Sequence, residues 1–496
     1  MDVLSAVLQN LLSPTCLIFM FLGCLMGIIF GALPGLSGTV GVTLLLPMTY
    51  GLKSELGIAL LISIWVGGVS GGFISATLLG IPGTTSCIAT CFDAYPLSKQ
   101  GKAKKALMTG IIASFIGTFF SCVIAMVLCK YVARIAMMLG PWEYFSLCLC
   151  AIVLVISLSK GNMFKGLAGA AIGLLLACVG AAPVDAVERF TFGNYNLYGG
   201  INNTAVMLGI FAIYLVVLNY AKGDTALESK EAGSTGGEGL TLKELKDNIV
   251  NMFRSFMIGL WIGFLPGMGA GLSNLIAYGQ AKNASKTPEK FGQGIVDGVF
   301  ATETSNNASV GGALIPMVSL GIPGDATTAV LLGALTIHGL EPGPLLFQNN
   351  PVYVYVLFGA AILAAVMVLV MQMGGIRLFP MILKIPYHYL YPAILVLCFM
   401  GAYSTSNTIF ALGVMLAMTA VAVFLSWADI PVTPFILANI LGGMLEKYMR
   451  RGLSYSTNGA WSFVTRPVSC IFLLVALASL VWPAISKRLK AGKAAK

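Results

Sequence analysis

The sequence predicts an all-α polytopic membrane protein. It is read as two inverted-topology repeats whose Pro-Gly-broken or re-entrant helices meet near the membrane midplane. Three observations predict this. Of the 496 residues, 57% are hydrophobic and only 10% charged, mean hydropathy is +0.89, and many runs reach the roughly 20 apolar residues that cross a bilayer. Two Pro-Gly elements each occur twice, in the same order and at nearly the same spacing. The positively charged loops also change sides from one half to the other.

The first element is Gly31-Ala32-Leu33-Pro34-Gly35-Leu36-Ser37-Gly38, and it returns as Gly263-Phe264-Leu265-Pro266-Gly267-Met268-Gly269. The second is Gly80-Ile81-Pro82-Gly83-Thr84-Thr85, and it returns as Gly321-Ile322-Pro323-Gly324-Asp325. Pro266 follows Pro34 by 232 positions (266 − 34), and Pro323 follows Pro82 by 241 (323 − 82). Gly71, Ile74 and Leu79 fall on Gly312, Ile315 and Leu320 at that second spacing. Matched elements in the same order indicate an internal duplication. Pro removes a backbone donor and Gly loosens the helix, so each element breaks its helix. In lipid, such a break is tolerated only inside protein or along a cavity. Paired breaks in two halves are the sequence mark of a transporter's binding site.

Along the chain, a run at 15–33 ends at Pro34 and a second run at 40–50 completes a broken hairpin. The stretch 56–92 carries no charge and is interrupted at Pro82-Gly83. A basic loop with Lys99, Lys102, Lys104 and Lys105 follows. Spans are predicted at 106–128, 135–158, 167–179 and 204–219, with an extramembrane loop at 185–203. The hydrophilic stretch 221–248 divides repeat 1–220 from repeat 249–467, and its later part reads as a surface helix over 240–251. The second half runs 249–265, breaks at Pro266, returns to 278, and continues to a basic loop with Lys282, Lys286 and Lys290. Later spans are predicted at 353–373, 390–403, 409–425 and 435–445. A final helix at 468–481 and a basic tail make up 468–496.

The basic loop follows the second break in half one but the first break in half two. By the positive-inside bias, equivalent loops then lie on opposite sides, which is what makes the repeat inverted. The N-terminus is expected in the periplasm and the C-terminus in the cytoplasm. Lys447, Arg450, Arg451 and Arg466 disagree, because they would face outside. Either the 435–445 span is re-entrant or that face serves a partner.

Several function classes are excluded. The net charge of +10 sits in loops and the tail, as cytoplasmic flanks require, and gives no reason to expect nucleic acid. The 11 cysteines lie mostly in apolar segments, far from the only histidines, His338 and His388, so neither a disulfide framework nor a metal site is expected. No catalytic constellation appears, and the chain is not expected to be an enzyme. An aspartyl protease would need a partner for Asp325, no Ser/His pair suits hydrolysis, and no nucleotide-binding loop is present.

The candidate chemistry lies at the breaks. A broken helix offers free N–H groups to an anion and free carbonyls to a cation. Gly35, Gly38, Gly83, Gly267, Gly269 and Gly324 permit close backbone approach. Ser37, Thr39, Thr84, Thr85, Ser273, Asn274, Thr327 and Thr328 add polar groups, or else bond their own helix backbone. Glu303, beside Asn307 in a run of small polar residues, is a carboxylate within an apolar stretch and a candidate for binding a coupling cation or carrying a proton. Asp325 holds a cation or caps the following helix. No Lys or Arg occurs at 54–98 or 291–376, so helix ends and cations must neutralise any anionic substrate.

With those residues placed, the chain resembles the large membrane subunit of the tripartite tricarboxylate transporter (TctA) family. The likeness is carried by Gly31–Gly35, Gly80–Gly83, Asp93 to Gly101, Arg189-Phe190-Thr191-Phe192-Gly193, Leu265–Gly267, Gly321–Gly324 and Gly339-Leu340-Glu341-Pro342-Gly343-Pro344. Many relatives continue Asp-Gly where this chain has Asp93-Ala94. The resemblance implies a carrier of the bacterial cytoplasmic membrane that works with a small membrane subunit and a periplasmic solute-binding protein. It implies import of organic di- or tricarboxylates coupled to Na⁺ or H⁺, with no other cofactor. An ion channel, or a carrier for a non-carboxylate solute, is the rival reading.

Overall fold

Proline and glycine decide where the helices stop. The computed structural model describes residues 3–158, 163–221, 235, 237–385, 387–456 and 458–494. Most of the predicted linker, 222–234 and 236, lies outside the described residues, as do the side chains of the basic tail. In the first half, α1 (Pro14–Ala32) ends at the first break and α2 (Gly38–Leu45) follows it. Helix α3 (Ser54–Leu78) ends at the second break, beyond which come a single turn, Thr85–Cys87, and α4 (Cys91–Leu97). Helices α5 (Ala103–Ala136), α6 (Pro141–Leu158), α7 (Met163–Ala177) and α8 (Asn203–Ala221) complete this half.

The second half repeats that order: α9 (Ile249–Phe264), break, α10 (Gly269–Ala284), α11 (Val296–Leu320), break, α12 (Ala326–Ile337). Then come α13 (Pro351–Gly375), α14 (Tyr387–Ser406), α15 (Ile409–Trp427) and α16 (Val432–Ser454). A last helix, α17 (Pro467–Ala494), has no counterpart. Among the described residues seven helices are long and apolar enough to cross a membrane, or eight if a bent pair near Pro467 counts as one span.

The repetition extends to packing. A Cβ on Gly27 or Gly31 would strike the Ile64 or Gly68 carbonyl of α3, and one on Gly259 or Gly263 would strike the Ser305 or Ser309 carbonyl of α11. Gly71 and Gly312 press back on α1 and α9 in the same way. Such glycine rows let two backbones approach closely in lipid. The halves then exchange arms: α5 packs along α11, and α13 along α3. Gln372 of α13 accepts from Ser70 at 3.0 Å and donates back to its carbonyl.

Two bundles result, and neither is a sequence half. Helices α1–α5 and α9–α13 pack chiefly on one another, while α6–α8 and α14–α17 form the second bundle. They meet through α2, α12 and the breaks. At one end of the molecule Thr49 meets His338 at 3.1 Å, Gln348 donates to Met137 and Arg466 approaches Glu143. At the other end Gln100 donates to the Gln293 carbonyl, and Lys105 pairs with Glu244 at 2.8 Å. Burial raises the Glu244 carboxyl, but hydrogen bonds from Lys105 and Thr241 outweigh it and hold it down at about 2.

Three predicted boundaries are corrected. Helix α5 does not stop near 128, because its buried stripe continues through Cys129, Ala133 and Ala136 while Lys130 and Arg134 point outward. The 435–445 span is the 23-residue helix α16. Its charged end is tied down within the chain: Arg450 binds Asp185 at 2.6 Å and Glu446 at 2.8 Å, and Arg189 binds Glu446 through two nitrogens at 2.7 and 2.9 Å. The all-α architecture carries one short antiparallel ribbon, Gly180–Ala181 with Glu188–Arg189, which includes that anchored arginine. The surface helix is shorter, Leu242–Asp247, because a Thr241/Glu244 capping box starts it and Asn248 ends it.

Candidate functional site

Breaks at four separate places in the sequence form one closed ring. A Cβ on Gly83 would strike the Gly31 carbonyl, so the second break lies against the first. Gly271 stands 3.2 Å, Cβ position to oxygen, from the Thr85 carbonyl, which joins the second break to the third. The Gly267 N–H donates to the Gly324 carbonyl at 2.7 Å, joining the third to the fourth. Thr39 and Thr327 share a 2.6 Å hydroxyl hydrogen bond, which closes the fourth onto the first. Glycine is required where backbones come this close, and Gly35, Gly267 and Gly269 also adopt positive φ (84°, 75° and 63°).

The helix starts at the ring are not equivalent. Ser37 caps α2 by accepting from the Val40 N–H at 3.3 Å. Asp325 caps α12: its carboxylate accepts from the Thr328 N–H and hydroxyl at 2.7 and 2.8 Å, while its own N–H donates to Thr328 Oγ1. No side chain caps α10, whose first turn contains Gly269 and Gly271. The partial positive charge at the start of α12 is therefore already matched by a carboxylate, and that of α10 is not. Thr84 bonds Ser86 at 2.8 Å, and Thr85 stays exposed. Gly38 packs on Gly68 of α3.

Behind the ring lies a buried polar network. Glu303 of α11 is fully buried. Thr90 donates to its Oε1 at 2.5 Å, and Asn306 and Asn307 donate to Oε2 at 3.2 and 3.3 Å. Ser114 stands at 3.5 Å. Asn307 is held in turn by the Glu303 carbonyl and by Thr118. Asn274 reaches the same network: its oxygen accepts from the Ala89 N–H at 2.9 Å, and its nitrogen donates to Thr90 and to the Thr302 carbonyl. Ser273 donates to the Ala270 carbonyl at 2.9 Å. Asn274 and Ser273 thus sit behind the ring wall, while Thr39, Thr84, Thr85 and Asp325 remain at least partly open.

Thr90, Ser114 and Thr118 were not among the candidates. The signal for the last two was their i, i+4 spacing beside Gly117 and Ser121, which gives α5 a small polar face toward α11. Asp93 was another omission. Its Oδ1 accepts from the Gly292, Gly294 and Ile295 N–H groups at 2.8, 3.0 and 3.2 Å, fixing the loop that leads into α11. Asp297, near the start of α11, is bonded by Asn248 at 2.9 Å.

Apolar spans around a closed ring of helix breaks define a multi-pass membrane protein whose irregular backbone is gathered within the bundle and stays partly open at Gly35 and Thr85. Residues 17–437 match the Tripartite tricarboxylate transporter TctA family, and the chain belongs to that family. By that membership it is a membrane transporter subunit. An Agrobacterium vitis protein described as an uncharacterized 52.8 kDa protein in the TAR-I ttuC' 3' region is 30% identical over 479 residues, 96% of this chain and 95% of that one. A second from the same organism, described as an uncharacterized protein in the TAR-II ttuC' 3' region, is 30% identical over 223 residues, 45% of this chain and 92% of its own length. No solved structure matches the chain.

Proposed function

We propose that this chain is the large membrane subunit of a binding-protein-dependent secondary transporter that imports organic di- or tricarboxylates, coupled to a Na⁺ or H⁺ gradient. The observation that carries the reading is the closed ring of breaks with a buried carboxylate behind it. The uncapped start of α10 suits a substrate carboxylate. Asp325 lies beside it, with its Cβ 3.8 Å from where a Cβ on Gly269 would be. Two negative charges that close repel one another, so a bound cation or proton is needed to neutralise them. That need is the physical basis of coupling, and it gives Asp325, Glu303 and Asn307 their roles.

The inverted relation of the halves is part of this proposal. The α1–α2 hairpin returns to the end where Thr49 meets His338. The α9–α10 hairpin returns toward the opposite end, where Gln293 and Lys290 lie. That end also holds Lys99, Lys102, Lys104, Lys282 and Lys286, which supports a cytoplasmic assignment and a periplasmic N-terminus in a bacterial inner membrane. Family membership supports a small membrane subunit and a periplasmic solute-binding protein as partners.

The test is uptake into vesicles holding this chain with those two partners, using labelled di- and tricarboxylates with and without a Na⁺ or H⁺ gradient. Accumulation of an acid only with a gradient is expected. Gradient-driven accumulation of another solute instead, or flux that never exceeds equilibration, would remove the carboxylate assignment or the carrier class respectively.

A further inference from the structure

The second bundle presents one polar side chain to the ring that the reading above does not use. Asn219 lies near the end of α8. That helix contains a π-helical segment at Leu208–Ile213. One extra residue in a turn rotates everything after it by about 100°. The segment is anchored, since Thr419 of α15 donates to the Gly209 carbonyl at 3.2 Å. Beyond it, Val216 packs with Leu33, Leu36 and Phe30 beneath the first break. Asn219, one turn further on, is 9% exposed. Its carboxamide nitrogen stands 3.4 Å, and its oxygen 3.9 Å, from where a Cβ on Gly35 would be. Gly35 itself is exposed.

Among the described residues no hydrogen bond takes up this carboxamide. The rest of the residue is packed away while the carboxamide faces the exposed Gly35, and a polar side chain so placed in an apolar span marks a solute pathway. The related third break is met by Val155 of α6, packed on Gly267, whose side chain has no donor to offer. The second bundle therefore supplies a hydrogen-bonding group at one break and an apolar one at the other.

We infer that Asn219 contacts the transported solute at the first break, donating from its carboxamide nitrogen to a solute oxygen. The inference rests on the transporter reading and goes beyond it by assigning a solute contact to the bundle that does not carry the breaks. Such a donor to a carboxylate or hydroxyl sets how tightly the solute is held, so its loss shows in KM before it shows in maximal rate.

The test compares uptake kinetics of wild type, Asn219→Ala and Asn219→Asp in vesicles containing all three components, after equal insertion is verified. Asn219→Ala is expected to raise KM about tenfold, with maximal rate within about twofold of wild type. Asn219→Asp keeps the shape but places a like charge against the acid, and is expected to lose most uptake at neutral pH. An unchanged KM in Asn219→Ala would overturn the assignment. So would a fall in maximal rate at constant KM in both variants, which is the pattern of a purely structural amide. If wild type concentrates a non-carboxylate solute, the carboxylate reading falls alone and Asn219 is judged by the same comparison on that solute. A wild type that concentrates nothing sinks both.

Discussion

Glu303 is surrounded by donors: the Thr90 and Ser114 hydroxyls and the Asn306 and Asn307 amide nitrogens all face its carboxylate. The orientation of Asn307 is fixed independently, because the same nitrogen donates to the Glu303 carbonyl at 3.0 Å. Such a cradle suits a charged carboxylate, and it weakens when a proton or a cation takes up that charge. Glu303→Gln keeps the volume and removes the charge. It is expected to leave the protein folded and inserted while uptake loses its response to the driving gradient, as read by accumulation at varied Na⁺ and pH. An unaltered gradient response with normal uptake would take Glu303 out of the coupling. Glu303 was legible in the sequence because an acid among Thr, Ser and Asn in an apolar run has few bland explanations. Its partners were not, because Thr90 and Ser114 are distant in sequence and only packing of α4 and α5 against α11 brings them there.

Helix breaks were readable because Pro and Gly act on their own backbone, whatever surrounds them. Helix ends governed by tertiary contacts were not. The end of α5 depends on which face of it is buried, and the ribbon at 180–189 depends on an arginine pinned by Glu446 of a distant helix. The glycine rows lie between these cases, since their repetition is visible but their partners are not. Gly259 is a direct test of that packing, because a Cβ there would run into the Ser305 carbonyl of α11. Gly259→Ala is expected to destabilise the protein by about 1–3 kcal/mol, the usual cost of overpacking, read as a lower melting temperature in detergent. Gly279 in α10 has nothing within 4 Å of the same position, so Gly279→Ala is expected to be neutral or to stabilise by up to about 1 kcal/mol. Equal melting of the two variants would show that helix propensity, and not close approach, governs these glycines.

Interleaving the repeats has a consequence for the whole molecule. Each half gives its breaks to one bundle and its later helices to the other, so all four breaks travel together if the bundles shift. Alternating access then calls for sliding or rocking where the bundles meet and little rearrangement within each. Two cysteine pairs separate these cases in a chain whose native cysteines have been replaced. A Cβ on Gly401 of α14 would lie 2.9 Å from that of Pro47, across the bundle boundary. A Cβ on Gly23 of α1 would lie 3.0 Å from that of Ser63 in α3, within the first bundle. Both separations are about 0.5 Å shorter than the low end of a disulfide's usual Cβ distance, so each pair bonds once the two backbones move slightly apart. Oxidising Pro47→Cys with Gly401→Cys is expected to stop uptake, and reduction to restore it. Oxidising Gly23→Cys with Ser63→Cys is expected to leave uptake running, because that bond ties helices that move as one. Should the cross-boundary disulfide form and uptake persist, the bundles do not shift against each other at that contact, and access must change through the breaks themselves.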